Sequence, residues 1–201
     1  AGNYVVHAGS GPLATLSGLT RDVVYHFRVF EFHGSGVTAN YNTNAAVGNP
    51  TNSTTKAGNP ESQPSDLAIS SLGSNQVTLT WTRGTTGTNT LVAIRATYAP
   101  ANPVDLNSYT ADPAFKGGSD LGSESYVVYN GTGESVTVTG LDPGKYYVVE
   151  ATSFNGSSGS ENYRDTDSPA TVNFYTLMPE PTQASGIGFG TLSATSYAVS
   201  F

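Results

Sequence analysis

A chain of 201 residues leaves room for one or two domains with real apolar cores. Its formal charge of −7, with 8 Lys and Arg that nowhere cluster, excludes the cationic footprint that nucleic-acid binding needs. The lack of cysteine excludes disulfide staples, thiolate metal sites and thiol nucleophiles, and no apolar run approaches the roughly 18 residues of a membrane-spanning helix, so no membrane insertion is expected.

Aromatic and β-branched residues come in short bursts between clusters of Gly, Asn, Ser, Thr and Pro, and nowhere at helical spacing. That pattern predicts an all-β chain. The first burst, Tyr4-Val5-Val6, opens a stretch that returns later: residues 4–43 match residues 126–165 without a gap, with Gly18-Leu19 on Gly140-Leu141 and Asn40-Tyr41 on Asn162-Tyr163. Taking 4 from 126 gives an offset of 122. A second match sets Leu67, Ile69, Val77, Leu79 and Trp81 on Ile187, Phe189, Tyr197, Val199 and Phe201, and taking 81 from 201 gives 120.

A repeat of about 120 residues organises the chain. It predicts the later strands of one unit over residues 1–58, a complete unit over 59–178, and the first strands of a third over 179–201. Joining the two end pieces would still leave the counterpart of residues 82–125 missing, so strand exchange between chains cannot complete a unit. The expectation is a fragment of a longer polypeptide, with neighbouring units of the same chain as its first partners.

In the first unit, His7, His26 and His33 fall on Tyr129, Val148 and Asn155 of the second, so the repeat does not require them. His26 lies between inward-facing Tyr25 and Phe27 and should point outward, and the other two fall at turns. All three are read as solvated imidazoles rather than metal ligands.

In the complete unit, Leu67 and Ile69 alternate with Ala68 and Ser70, and Val77, Leu79 and Trp81 alternate with Thr78 and Thr80, so each run buries one face. Further strands are predicted over 91–98, 125–129, 135–139, 145–154 and 171–176, with Asn130-Gly131-Thr132-Gly133 as a hairpin turn. In the longest strand Tyr147, Val149 and Ala151 face inward. Seven strands fit a two-sheet sandwich.

Between the third and fourth strands lies an insert, residues 99–124, longer than ordinary connections. It carries Pro103, Tyr109, Pro113, Phe115 and Gly117-Gly118. Tyr109 and Phe115 either pin the loop to the sandwich, the reading adopted here, or display a recognition surface, for instance for surface glycans.

Chemistry-bearing patterns are sparse. No Gly-x-Ser-x-Gly elbow occurs and the complete unit has no histidine, which removes a hydrolytic triad there. Glu124, Glu134, Glu150, Glu161, Asp165 and Asp167 are scattered over turns and outward strand positions, unlike the facing acids of a glycosidase. The loop Glu161-Asn162-Tyr163-Arg164-Asp165-Thr166-Asp167 gathers three carboxylates that suit calcium, but its counterpart, residues 39–45, keeps none of them, so it is read as a solvated loop anchored by Asn-Tyr. Gly186-Ile187-Gly188-Phe189-Gly190 alternates as a strand and precedes no helix, so it is not a phosphate loop. No catalytic residue, cofactor or metal ligand is expected.

The segment Leu141-Asp142-Pro143-Gly144-Lys145-Tyr146-Tyr147 resembles the corner of fibronectin type III domains, a Leu and a Pro-Gly turn followed by Tyr, and Trp81 is similar to that family's early core tryptophan. Leu19 and Tyr25 keep the same separation in the first unit, with Arg21-Asp22 in place of Pro-Gly. The resemblance implies tandem immunoglobulin-like β-sandwiches in which Trp81, Tyr147, Leu141, Tyr25 and Leu19 are structural, each Tyr hydroxyl bonding back to the corner backbone. The insert with Tyr109 and Phe115, Tyr126-Val127-Val128-Tyr129 and Asn155-Gly156 are similar to such modules in large Bacteroidota secreted and cell-surface proteins. That implies export, often by type IX secretion, and a non-enzymatic stalk, filament or adhesin outside the cell or on its surface. The alternatives are accessory spacer modules of an extracellular hydrolase, or glycan binding through the insert.

Overall fold

The computed structural model describes residues 2–84, 89–183, 185–190, 195–196 and 199–200. In the first unit, β1 (Val24–Phe27), β2 (Phe32–His33), β3 (Asn40–Tyr41) and β4 (Thr51–Thr54) form two short antiparallel pairs, β1 with β4 and β2 with β3. The complete unit runs through β5 (Ser65–Leu72), β6 (Gln76–Thr82), β7 (Asn89–Ala96), β8 (Tyr126–Gly131), β9 (Ser135–Thr139), β10 (Tyr146–Asn155), β11 (Asn162–Tyr163) and β12 (Ala170–Tyr175). A last pair, β13 (Gly188–Phe189) and β14 (Val199–Ser200), follows.

Two sheets face each other in the complete unit. One has the order β5-β6-β9; the other runs β8-β7-β10, with β12 and then β11 along the opposite edge of β10. Among the described residues the pairings between these strands are all antiparallel. Inward residues of both sheets meet in one core: Val77, Leu79 and Trp81 from β6, Val92 and Ile94 from β7, Val138 from β9, and Tyr147, Val149 and Ala151 from β10. Trp81 is buried and lies edge-on to Tyr129, ring centroids 5.0 Å apart.

The repeat reappears as register. Phe32 pairs with Tyr41 as Phe154 pairs with Tyr163, and their rings lie 5.2 and 4.9 Å apart. At the other end Phe189 pairs with Val199 as Ile69 pairs with Leu79. Tyr197 and Phe201, set on Val77 and Trp81 by the sequence, lie outside the described residues.

One expectation fails in the first unit. Tyr4, Val5 and Val6 match β8 in sequence, yet they form no strand and are exposed. In the complete unit β8 pairs with β7, and β9 with β6. The 122-residue offset leaves no residues in this sequence to match β6 or β7 of the first unit. A strand without a ladder partner has no backbone hydrogen bonds to gain.

Candidate functional site

The corner is held in the same way twice. Asp142 N–H donates to the Tyr147 hydroxyl (3.0 Å), and Thr20 N–H donates to the Tyr25 hydroxyl (2.8 Å). A threonine behind each turn completes it: the Thr176 hydroxyl donates to the Asp142 carbonyl (2.6 Å) and accepts from Lys145 N–H (3.0 Å), while the Thr55 hydroxyl donates to the Thr20 carbonyl (2.6 Å) and accepts from Val23 N–H (3.1 Å). Tyr147 and Leu141 are buried, whereas Tyr25 and Leu19 are only half-buried, a departure from the core role expected of them. The cause is again the facing sheet: the offset leaves no residues in this sequence to match β5 or β6, and residues 13–17, which match β9, form no strand. Burial pushes the Tyr147 phenol above its ordinary pKa, and burial beside Glu161, Tyr109 and Asp105 does the same to Tyr163.

The insert is a third layer. The outer face of the larger sheet, with Leu91 and Ala93 of β7, Val127 of β8 and Phe154 of β10, is covered by Tyr109, Ala111 and Leu121. From there the insert reaches round the sandwich edge. Asp112 N–H donates to the Val127 carbonyl (3.2 Å) and Val127 N–H to the Ser119 carbonyl (2.9 Å), so it pairs with β8. Phe115 N–H donates to the Thr139 carbonyl and Thr139 N–H to the Pro113 carbonyl, both at 2.9 Å, so it also pairs with β9. Gly118 lies where a β-carbon would run into the Val127 carbonyl, which explains a glycine at this crossing.

Tyr109 and Phe115 therefore pack rather than display. Phe115 sits edge-on to Tyr126 and Tyr147 (5.5 and 5.3 Å), and Tyr109 tilts against Tyr163 (5.8 Å) while its hydroxyl accepts from Val104 N–H (3.1 Å). Both are half-buried. A sugar-stacking platform needs an open ring face, and these rings are occupied by neighbouring aromatics.

Beside the insert, a cleft of about 650 Å³ opens between residues 102–105 and the loop 163–169, floored by Thr152. Its charged walls are engaged internally. Asp105 accepts from Lys56 Nζ (2.6 Å) and Tyr163 N–H (2.8 Å); Arg164 pairs with Asp167 and donates to the Pro60 carbonyl. Glu161 is buried, accepting from the Ser108 hydroxyl and from Gly159 N–H (2.8 Å), and Asp165 is exposed. Glu161 and Asp167 of the calcium-like loop thus turn to separate partners while Asp165 faces solvent, and no group of three His, Asp or Glu assembles for a metal among the described residues. His7, His26 and His33 are exposed.

Comparison with known families adds one decisive match: the family model for the fibronectin type III domain covers residues 62–166. The chain belongs to the fibronectin type III family. Fibronectin type III domains are common structural and adhesive modules, and the all-β sandwich described above is theirs. Solved structures that it resembles include a redesigned β-sandwich protein (17% identity, 62% of this chain and 98% of that one, TM-score 0.42). Others are the fn3 domain of human collagen alpha-1(XX) chain (18%, 61% and 91%, TM-score 0.40) and that of human contactin 1 (11%, 76% and 100%, TM-score 0.41). No curated protein sequence matches the chain.

The linker into the complete fibronectin type III unit runs along its β10–β11 hairpin. Ala57 N–H donates to the Ser160 carbonyl (2.8 Å), Asn162 Nδ2 to the Ala57 carbonyl (2.8 Å) and Asn155 Nδ2 to the Gly58 carbonyl (2.9 Å). Sequence reasoning read Asn162-Tyr163 as an anchor without seeing that the asparagine holds the incoming chain. The signal available was the recurrence of Asn-Tyr at residues 40 and 41.

Proposed function

We propose that this chain is part of the structural, adhesive repeat region of a large secreted or cell-surface bacterial protein, working as stalk, filament or adhesin and performing no catalysis itself. The observation that supports it is the linker just described: one unit ends in a strand whose continuation is hydrogen-bonded, residue after residue, onto the next unit. Units tied in this way transmit position and force along the chain. The resemblance of the insert and its flanking strands to modules of large Bacteroidota proteins adds export, often by type IX secretion, to the proposal. Its partners are then neighbouring units of the same chain, other copies of the protein, or surface glycans.

Antibodies raised against residues 59–178 test the reading on intact, unpermeabilised producer cells. Labelling of extended surface structures, or of the medium, is the expected result. Antigen found only after lysis sinks it, and antigen recovered in a fraction with glycosidase or protease activity transfers the role to a hydrolase spacer.

A further inference from the structure

The corner of the first unit departs from its copy at one informative position. Asp22 falls on Gly144 by the 122-residue offset, and both residues adopt left-handed backbone, φ 56° and 66°. Glycine takes that conformation without penalty, and aspartate is one of the few residues with a β-carbon that visits it, because its short polar side chain can hydrogen-bond nearby. What Asp22 has that glycine lacks is a carboxylate, and its Oδ1 accepts a hydrogen bond from the Ser160 hydroxyl of the next unit at 2.6 Å.

Ser160 is presented for this contact by a tight turn. Ser157 N–H donates to the Ser160 hydroxyl oxygen (3.0 Å), and that hydroxyl lies 2.9 Å from the Ser157 carbonyl, a neutral acceptor that competes with the Asp22 carboxylate for its single proton. A carboxylate is the stronger acceptor. The backbone at Ser160 meanwhile holds Ala57, so the same turn receives both the preceding corner and the preceding linker. The first unit repeats this receiving turn: Thr38, which falls on Ser160, donates its hydroxyl to the Ser35 carbonyl (2.8 Å), and Asn40 falls on Asn162.

We infer that the β10–β11 turn is the receiving half of a head-to-tail joint between consecutive units, and that Asp22 is the positioning residue that fixes the angle of that joint. Asp22 takes the left-handed conformation its corner requires and directs its carboxylate across the joint to Ser160. This holds whether the array serves as a stalk or as a hydrolase spacer.

With no native cysteine to compete, spin labels can be placed at Asn52→Cys on β4 and Asn173→Cys on β12 of the 201-residue chain, both exposed positions, and the spread of distances read by pulsed electron resonance. The parent should give a narrow distribution. Asp22→Gly, which leaves the turn as favourable as in the second unit, and Ser160→Ala should each broaden it at least twofold, while Ser160→Thr restores the parent width. Thr20 N–H, bonded to the Tyr25 hydroxyl, should keep its hydrogen-exchange protection throughout, showing that the corner stays folded. A distribution as narrow in either variant as in the parent overturns the proposal, as does broadening accompanied by loss of that protection.

Discussion

Tyr147 carries packing and hydrogen bonding in one side chain, and substitution separates them. Tyr147→Phe keeps the ring against Phe115 and Phe174 and removes the acceptor of Asp142 N–H, so a denaturant melt should show a loss of about 1 kcal/mol. Trp81→Ala removes a buried ring from the centre of the core and should cost on the order of 3 to 5 kcal/mol; a near-parental melting temperature would contradict its placement. Glu150 behaves in the opposite sense. Burial on β10 raises its carboxyl pKa above the ordinary value, so the folded state favours the protonated form. Its contribution to stability is present below the unfolded pKa, about 4.5, and is lost as pH rises through the higher folded value. Glu150→Gln should therefore match the parent near pH 3 and become the more stable of the two by pH 7, as paired melts at the two pH values would show. Trp81 and Tyr147 were legible from alternation alone. Leu19 and Tyr25 were legible as a corner but not as half-buried, because a motif names a turn and says nothing of the sheet that must cover it.

At the scale of strands, alternation located β5, β6 and β9 because one face of each meets the core and the other is more exposed, while in β10 it picked out Tyr147, Val149 and Ala151 on a strand that is buried over most of its length. The run Leu91-Val92-Ala93-Ile94 is apolar throughout and buried on both faces. Such a run signals a sheet covered on both sides, and here the cover is the insert, whose own sequence gives only two aromatics as a hint. Phe115 is the pin of that cover. Phe115→Ala should loosen residues 110–119, remove hydrogen-exchange protection from Thr139 N–H, which bonds to the Pro113 carbonyl, and lower stability by about 1 to 3 kcal/mol, less than a fully buried Phe because the ring is half-buried.

Across the whole molecule, the period was readable but the joint was not. Repetition fixes where units begin, whereas Asp22 meeting Ser160 depends on how one corner sits on the next hairpin, which no spacing encodes. The insert matters at this scale as well. Replacing residues 101–122 by a short Gly-Ser turn should leave the two sheets in place but bare β8 and β9, and sedimentation should then show concentration-dependent association. Covalent neighbours face that hazard more acutely than separate molecules, because a linker of a few residues holds each unit at millimolar effective concentration beside a near-copy of itself. During synthesis each new unit also emerges while the one before it is already folded. A finished unit with its flank closed offers the nascent strands nothing to zip onto, so the array can be laid down one unit at a time without neighbours trading strands.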